Sequence, residues 1–323
     1  MSTSSLNSPL SSLNSQLLLA PMAGVNDPVF RAICRRMGAG LTYSEMISSK
    51  GLAYKNARTK EMLAALPEDE PYAVQLFGNE AEVMADEARS LEEQLGSKLA
   101  LIDINMGCPA RKVASGGSGA ALLDKPELAA SIVAAISLAV KLPVTVKMRL
   151  LEEPGDLDGS AESKEHSFSA TLAFAKLMEE SGAAALTIHG RTSSQFYRGT
   201  ARRDIVDLLV QHLGIPIIAS GDVFSTEDVQ EYLKRGASAV LAARGARGNP
   251  WIFAGRIPDL AEIVAVSSEH ATRLFEWEPR KLVWMRKHLA WYFKGSPHAV
   301  RVRKAVQTAV TLEDYLSVIE SAR

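Results

Sequence analysis

Cys108 stands in the segment Asn105-Met106-Gly107-Cys108-Pro109, which directly follows an apolar run at 101–104. A turn at Gly107 would present the thiol beyond the end of a buried strand, where a side chain packs poorly but can reach a ligand. The alternative is a small residue that merely fits a turn. The residues elsewhere in the chain that could act together with this thiol decide between the two.

Polar or charged residues follow nearly every other apolar run in the same way. If the runs are parallel strands, their carboxyl ends converge on one rim, and these side chains meet there. A joint functional role is favoured, because chance would not put a hydrogen-bonding group at each position. The residues are Glu45, Gln75, Asn105, Lys147, Arg149, His189, Arg191, Ser220, Asp222 and Arg244.

The last two runs are followed by residues suited to bind a phosphate group. Gly221 and Gly245 let backbone N–H groups approach an anion, and Arg244 adds a planar cation that can bind a phosphate oxygen. Asp222 cannot face a phosphate directly, so we expect it to hold its own turn or to bind a hydroxyl group.

Two other rim residues suit a flat heterocycle. Gln75 offers both a donor and an acceptor to alternating N–H and C=O groups. Lys147, at the end of a buried strand, is costly to bury unless it meets an anion or an electron-rich ring. A phosphate at one side and these residues at the other predict a flavin mononucleotide (FMN) site. A phosphorylated sugar would use the same phosphate site but leaves Gln75 and the pair Pro21-Met22 unexplained.

Cys108 would lie beside this redox ring. Thiols are mostly protonated at neutral pH, so Cys108 can act as a general acid that protonates the carbon left negative by hydride addition to a C=C bond. A nucleophilic role is the competing interpretation. It needs a nearby base, for which His189 is the one histidine predicted on the rim.

Eight apolar runs and the helical patterns between them predict the fold. The segments between the runs, including 80–95, 126–140 and 169–181, carry apolar residues at helical spacing, and Gly96 and Gly182 stop two of them. Eight such units predict an α/β fold, a (β/α)8 TIM barrel. A doubly wound open sheet is the alternative, but residues 20–24 do not form its Gly-rich dinucleotide turn. The predicted strands are 17–20, 41–44, 72–77, 101–105, 144–148, 185–189, 215–220 and 239–242.

The composition limits the class of protein. The chain has 323 residues, is 47% hydrophobic and 23% charged, and has a net charge of −1, so nucleic-acid binding needs a local basic surface. Its two cysteines, Cys34 and Cys108, exclude a disulfide framework and a cysteine-built zinc site, and we predict no metal. Cys34 falls in a helical pattern and is expected to be buried. No apolar run approaches the roughly 18 residues of a membrane span, so we expect a cytoplasmic protein.

The barrel pattern ends near Trp251, and we predict a barrel at 17–256 followed by a small all-helical domain at 257–323. Helical composition without any strand signal covers 269–323. Residues 1–16 are rich in Ser and Asn and predict a disordered tail. The acidic stretch 151–166 follows the fifth strand, and we expect a loop there that acts as a lid over the barrel mouth.

Between residues 280 and 304 there are eight Lys or Arg residues and no Asp or Glu. Charge of one sign on helices suits contacts to RNA phosphates, and interleaved aromatic residues suit stacking on bases. The alternative is that the charges are merely solvated, and for the aromatic residues we expect inward packing. The candidates for phosphate contact are Arg286, Lys287, Arg301, Arg303 and Lys304.

Five segments resemble the tRNA-dihydrouridine synthases, most closely their bacterial B-type branch. The resemblance implies an FMN barrel that is reduced by NADPH and transfers hydride to C6 of a tRNA uridine, with Cys108 protonating C5. It also implies that the C-terminal helices contact tRNA. The segments are Ala20-Pro21-Met22-Ala23-Gly24, Ser44-Glu45-Met46, Asp103-Ile104-Asn105-Met106-Gly107-Cys108-Pro109, Leu186-Thr187-Ile188-His189-Gly190-Arg191-Thr192 and Gly248-Asn249-Pro250-Trp251.

The resemblance assigns roles to individual positions. We assign His189 to the cofactor as well, and Asn105, Arg149 and Arg191 to the substrate. Ser220 stands where the family normally has Asn, so we expect the backbone contact to the cofactor to remain and the side-chain contact of the Asn to be lost. Ala243 stands where the family has Gly, and its methyl group predicts a looser contact to the phosphate. The implied FMN contacts are Pro21, Met22, Ala23, Gln75, Lys147, Ser220, Gly221, Asp222, Ala243 and Arg244.

Two other functions stay open at this point. One is an FMN-dependent reductase or dehydrogenase of a free pyrimidine, similar to a dihydroorotate dehydrogenase, but such an enzyme has no reason for a basic C-terminal helix. The other is a non-catalytic RNA-binding protein that has kept the fold. In each case we expect a monomer that needs no protein partner and no membrane.

Overall fold

The computed structural model describes residues 15–151 and 161–323, and between 161 and 167 it describes the backbone only. In this part of the chain, neighbouring strands from the second to the eighth pair in parallel, and the first pairs with the eighth. A bridge between Leu19 and Thr42 closes the ring, so the predicted (β/α)8 barrel is confirmed. The strands are β1 (Leu17–Leu19), β2 (Tyr43–Ser48), β3 (Tyr72–Phe77), β4 (Leu99–Met106), β5 (Val144–Leu150), β6 (Ala185–Thr192), β7 (Ile217–Ser220) and β8 (Ala239–Ala242).

The helices of the barrel surround these strands. Gly96 and Gly182 follow two of them with φ of 53° and 102°, the left-handed backbone that the predicted helix stops require. None of the described helices is both long and apolar enough to cross a bilayer. The helices are α1 (Pro28–Arg36), α2 (Ser49–Ala53), α3 (Ala57–Glu61), α4 (Ala81–Leu95), α5 (Arg111–Ala114), α6 (Pro126–Ala139), α7 (Ala161–Glu180), α8 (Ile205–His212) and α9 (Thr226–Lys234).

Alternate residues along each strand face the barrel interior or the surrounding helices. In β1, Leu18 packs in the interior core, whereas Leu17 and Leu19 pack under the helices. Both layers are buried, which is why the strands read as nearly continuous apolar runs. Cys34 of α1 is fully buried in the outer layer, as predicted.

The predicted second strand was misplaced. The apolar run at 41–44 ends where Ser44 and Glu45 follow each other, and the strand was predicted to end there. In the structure β2 continues to Ser48, and its residues Met46 and Ile47 pair with Gln75 and Leu76 of β3. The backbone of a parallel strand is held by its neighbours whatever its side chains are, so Glu45 lies within β2 and not after it.

Strands β4, β5 and β6 extend further than predicted, and β7 begins two residues later. The bounds of the predicted lid and tail also differ. The acidic stretch was expected to be a loop as far as residue 166, but α7 begins at Ala161, because a run rich in Ala, Glu and Lys can form a helix without an apolar period. Residues 152–160 of the predicted lid and residues 1–14 of the predicted tail lie outside the described residues. Gln16, also placed in that tail, accepts a hydrogen bond from the Val240 N–H at 2.8 Å.

A second group of helices follows the barrel and begins at Leu260, upstream of the helical stretch predicted at 269–323. These helices have their own apolar core, which includes Leu274, Leu289 and Ile319. Val29 and Ile33 of α1 also pack in this core, so the barrel contributes to it. The helices are α10 (Leu260–Trp277), α11 (Met285–Tyr292), α12 (Ala299–Ala305) and α13 (Leu312–Glu320).

A buried polar cluster joins the two groups of elements. Asp27 caps α1 by accepting a hydrogen bond from the Phe30 N–H at 2.9 Å. The same carboxylate lies 3.2 Å from Nε2 of His270 on α10 and 3.1 Å from Nε2 of His288 on α11. Nδ1 of His270 lies 3.1 Å from the hydroxyl of Tyr292. All four side chains are buried, so a carboxylate of the barrel holds the helical domain by hydrogen bonds in an apolar surrounding.

Candidate active site

A cavity of about 290 Å³ opens at the carboxyl ends of the strands, where the sequence predicted a functional rim. Strand alternation explains which side chains reach it. Leu101 packs in the interior core, so Asp103 and Asn105, two and four residues further along β4, also face inward. The predicted site residues that line the cavity are Pro21, Met22, Ala23, Gln75, Asn105, Cys108, Lys147, Arg149, His189, Ser220, Gly221, Asp222, Ala243 and Arg244.

A row of hydrogen bonds at the base of the cavity fixes its amide groups. Nε2 of Gln75 donates to Asp103 at 2.6 Å, and Oε1 of Gln75 accepts from Nδ2 of Asn105 at 2.7 Å. Oδ1 of Asn105 in turn accepts from the Cys108 N–H at 3.0 Å. The turn that carries the thiol is therefore held by the side chain three residues before it.

Asp103 and Lys147 bring opposite charges into the barrel interior. Burial raises the pKa of Asp103 to about 6, although hydrogen bonds from Thr145 and Gln75 work against this rise. Burial, together with the positive charge of nearby Arg149, lowers the pKa of Lys147 to about 8. A buried ammonium of this kind is a good partner for an anion or an electron-rich ring.

The far side of the cavity has a backbone corner at Gly221 and Gly245 that is closely packed by neighbouring residues. A Cβ at Gly221 would lie 2.8 Å from Cδ2 of His189, and a Cβ at Gly245 would collide with the Val223 carbonyl oxygen, so neither position has room for a side chain. Arg244 adds a guanidinium at this corner. Gly221 lines the cavity and Gly245 does not. A glycine backbone N–H beside an arginine suits a phosphate.

Asp222 holds this corner together, as its predicted role in the turn requires. Its carboxylate accepts from Arg191 at 2.5 Å, from Arg244 at 2.6 Å and from the Ala201 N–H at 2.8 Å. Burial disfavours the charged carboxylate, but the hydrogen bonds from Arg191 and Ala201 and the positive charges of both arginines together outweigh burial, so the pKa of Asp222 lies below its ordinary value.

Arg191 does not line the cavity, although it was predicted to bind substrate. It is buried, and besides Asp222 it bonds the Gly199 carbonyl oxygen at 2.7 Å. An arginine needs partners for its donors when it is buried, and the turn at 198–201 supplies them. Arg149 is buried as well, and it donates to the carbonyl oxygens of Gly107 and Thr192 while still lining the cavity.

His189 is a neutral imidazole. Burial, together with the positive charge of Lys147 and three arginines, lowers its pKa to about 2. Nη1 of Arg191 lies 3.4 Å from Nε2 of His189. Because a guanidinium only donates, Nε2 accepts and the proton is on Nδ1. His189 therefore cannot accept a further proton at neutral pH.

Two aromatic residues at the cavity mouth were missed from the sequence. Tyr197 and Phe224 are 59% and 52% exposed, and the Arg244 guanidinium lies 4.5 Å and 5.5 Å from their ring centres. Arg247, also missed, lines the cavity and lies 5.4 Å from the ring of Trp291 in the helical domain. The available signal was that Tyr197 and Phe224 lie a few residues beyond β6 and β7, on the same rim.

The five basic residues predicted to contact RNA lie on the helical domain and do not line the cavity. Lys287 comes nearest to it: the ammonium lies 5.1 Å from the ring of Trp284, and a Cβ at Gly24 would be 3.2 Å from Nζ. Arg286 donates to the Ala309 carbonyl oxygen at 3.2 Å. The remaining three, Arg301, Arg303 and Lys304, are exposed on α12.

The aromatic residues of the same segment were expected to pack inward. Tyr292 and Phe293 are buried, whereas Trp284 and Trp291 are half-buried. The inward prediction is therefore confirmed for the first two, and the tryptophans keep part of their surface open.

Fold and site together define a (β/α)8-barrel enzyme with a cofactor-sized cavity at its catalytic rim. Residues 18–322 match the family described as dihydrouridine synthase (Dus). A probable tRNA-dihydrouridine synthase of Rickettsia conorii is 38% identical, over 95% of this chain and 92% of its own length. The tRNA-dihydrouridine synthase B of Pseudomonas syringae pv. tomato is 37% identical, over 89% of this chain and 85% of its own.

The chain belongs to the dihydrouridine synthase family, and the family resemblance predicted from the sequence is confirmed. Among solved structures, a histamine dehydrogenase from Rhizobium sp. 4-9 superposes with a TM-score of 0.51 at 12% identity, over 79% of this chain and 47% of its own. At that identity the likeness concerns the barrel fold alone.

Proposed function

We propose that this chain is an FMN-dependent tRNA-dihydrouridine synthase that reduces the C5=C6 bond of specific tRNA uridines with NADPH as the reductant. The observation that carries the proposal is the cavity, where inward-facing polar residues of the barrel strands meet Cys108 on one rim. Membership of the dihydrouridine synthase family and relatives named tRNA-dihydrouridine synthase support the same reaction.

The residues present fit FMN. Gly221 and Arg244 would hold the phosphate, since both line the far side of the cavity and supply a backbone N–H and a guanidinium. Gln75 and Lys147 would bind the ring. Gln75 is held in one orientation by its neighbours, and Lys147 is half-buried opposite Asn105 on the adjacent strand and lines the cavity. Bound FMN in its reduced form supplies the hydride that is added to C6.

The remaining cavity residues would bind and orient the uracil ring. Asn105 and Arg149 both line the cavity beside Cys108 and are held by hydrogen bonds to the turn that carries it. Fixing these groups in advance lowers the cost of orienting the substrate in the transition state. Tyr197 and Phe224 would cover the cavity mouth with aromatic surface.

The geometry supports a general acid at Cys108 rather than a nucleophile. A nucleophilic thiol needs a base, and His189, whose pKa is about 2, has its Nε2 directed to Arg191. No hydrogen bond from another described residue reaches the sulfur, so the S–H proton remains available to C5 of the substrate.

The test is an assay on purified protein with unmodified tRNA, NADPH and FMN. We expect dihydrouridine in the tRNA hydrolysate by mass spectrometry, FMN as the extracted flavin, and no turnover of free uracil or orotate. Turnover of free bases alone would instead support the free-pyrimidine reductase. Protein that binds tRNA but takes up no flavin would support the non-catalytic RNA-binding protein.

The Cys108→Ala variant tests whether Cys108 is the general acid that protonates C5. General acids contribute roughly 10²–10⁴-fold to rate, so we expect dihydrouridine formation to fall by at least 100-fold while FMN and tRNA still bind. Cys34→Ala, at the other cysteine, is the matched control, because its sulfur is buried in the outer core. Loss of FMN from the Cys108→Ala protein would make Cys108 a structural residue.

A further inference from the structure

Two of the loops at the catalytic end of the barrel, after β2 and β4, are basic, although the whole chain carries a charge of −1. Residues 46–60, which end β2 and form α2 and α3, contain Lys50, Lys55, Arg58 and Lys60 and no Asp or Glu. Residues 104–123, which carry Cys108, contain Arg111 and Lys112 and again no Asp or Glu. Both stretches follow strands, so they lie at the same end of the barrel as the cavity.

The cations of these loops are free to meet a ligand. Lys55, Arg58, Arg111 and Lys112 are exposed, and none of them forms an ion pair with a carboxylate in the described part of the chain. By contrast, Arg202 and Arg203 after β6 are paired with Asp204 and Asp228 at 2.7 and 2.6 Å. Tyr54, between the cations of the first loop, is 84% exposed and presents an aromatic face.

Contacts between elements make these loops one continuous surface. Lys50 pairs with Glu80 at 2.6 Å, and the adjacent Asn79 donates to the Gly116 carbonyl oxygen at 2.9 Å, which joins the loop after β2 to the loop that carries Cys108. Glu61 at the end of α3 pairs with Lys281 of the helical domain at 2.8 Å. The surface therefore runs from the helical domain along α3 and α2 to the edge of the cavity.

We propose that this surface, formed by Lys55, Arg58, Arg111 and Lys112 with Tyr54, is a second tRNA-binding surface on the barrel itself. It binds the phosphate backbone along the rim beside Cys108, and Tyr54 stacks on an unpaired base. The inference rests on the proposed function, since it extends the tRNA footprint from the helical domain to the rim. A continuous polyanion suits the arrangement, because the cations are spread along three elements rather than gathered in one pocket.

The test compares two double variants of equal charge. Lys55→Glu/Arg58→Glu and Lys141→Glu/Lys234→Glu each change the net charge from −1 to −5, since each substitution removes two units. Lys141 and Lys234 are exposed just before β5 and β8, at the opposite end of the barrel. Thermal midpoint and flavin content confirm that each variant is folded.

We expect Lys55→Glu/Arg58→Glu to raise the Kd for unmodified tRNA at least tenfold at about 0.1 M salt, and the control pair to stay within twofold of wild type. The slope of log Kd against log salt should fall by about 2 for the first pair alone. Equal Kd values for the two double variants would overturn the proposed binding surface while leaving the proposed function intact. Failure of the wild-type protein to bind or modify tRNA would overturn both.

Discussion

Lys147 and Asp103 show at the scale of single residues how the barrel interior prepares groups for a ligand. Both sit on inward positions of neighbouring strands, and burial moves the pKa of Lys147 down to about 8 and that of Asp103 up to about 6. Lys147 therefore keeps its charge at neutral pH and loses it in mildly alkaline solution. An anionic or electron-rich ligand would restore that charge.

This titration predicts how flavin binding depends on pH. Lys147 is protonated below about pH 8, so FMN affinity should fall as pH rises from 7 to 9. Lys147→Met should bind FMN about tenfold more weakly at pH 7, because one charge interaction of about 1.4 kcal/mol is lost, and its affinity should vary less with pH. Flavin fluorescence titration measures both, with Lys141→Met as control. A Lys147→Met profile that parallels wild type would contradict the prediction.

At the scale of elements, the buried carboxylate of Asp27 holds α10 and α11 against the cap of α1. Burial opposes its charge, but His270 and His288 outweigh burial, and the pKa of Asp27 lies well below its ordinary value. Burial, with the neighbouring His270, lowers the pKa of His288 to about 4. Both groups bind a proton less readily in the folded chain than in the unfolded chain, so both lose their stabilising effect as pH falls.

The helical domain should therefore become less stable in acid. Between pH 6.5 and 4 the unfolded chain protonates His288 and the folded chain does not, which lowers the free energy of unfolding by on the order of 3 kcal/mol. Urea titrations at pH 7 and 5 measure how much of the free energy of unfolding is lost in acid. The loss should be smaller for the His288→Gln variant than for wild type. His189 adds a similar loss to both proteins, so the difference between them is the readout. Equal losses in the two proteins would rule out the role of His288.

At the scale of the whole molecule, a chain of charge −1 can bind a polyanion only through a separated basic surface. The helical domain offers Arg303 and Lys304, which are exposed on α12. Two cations of the predicted segment are already neutralised: Arg280 pairs with Glu278 and Lys281 with Glu61. The count of eight cations in the sequence therefore overstates the charge that RNA would meet.

Removing the two α12 cations should weaken tRNA binding in a salt-dependent way. We expect Arg303→Ala/Lys304→Ala to raise the Kd for tRNA at least tenfold and to lower the salt slope by about 2, while the flavin content stays that of wild type. Filter binding over a salt series provides both numbers, with Lys141→Ala/Lys234→Ala as control. An unchanged slope would place the tRNA elsewhere on the molecule.

The sequence by itself determined the barrel, the rim and the residues around Cys108. Nearly continuous apolar runs and helices of period 3.6 are local patterns. In a closed parallel barrel, the alternation of side chains along each strand then dictates which of them face the interior. For that reason the amino-acid order alone is enough to place Gln75, Asn105, Lys147 and His189 in one cavity.

Only the tertiary structure decided which charges are free and which are paired. Asp222 meets Arg191 from 31 positions away, and Asp27 meets His270 from 243 positions away. Such contacts depend on barrel closure and on the docking of α10, and no local pattern encodes them. Arg191 therefore has the sequence context of a substrate ligand but is a buried support of the turn at Asp222. By contrast, Lys55 and Arg58, which belong to no motif, are exposed and form no ion pair with a carboxylate of the described residues.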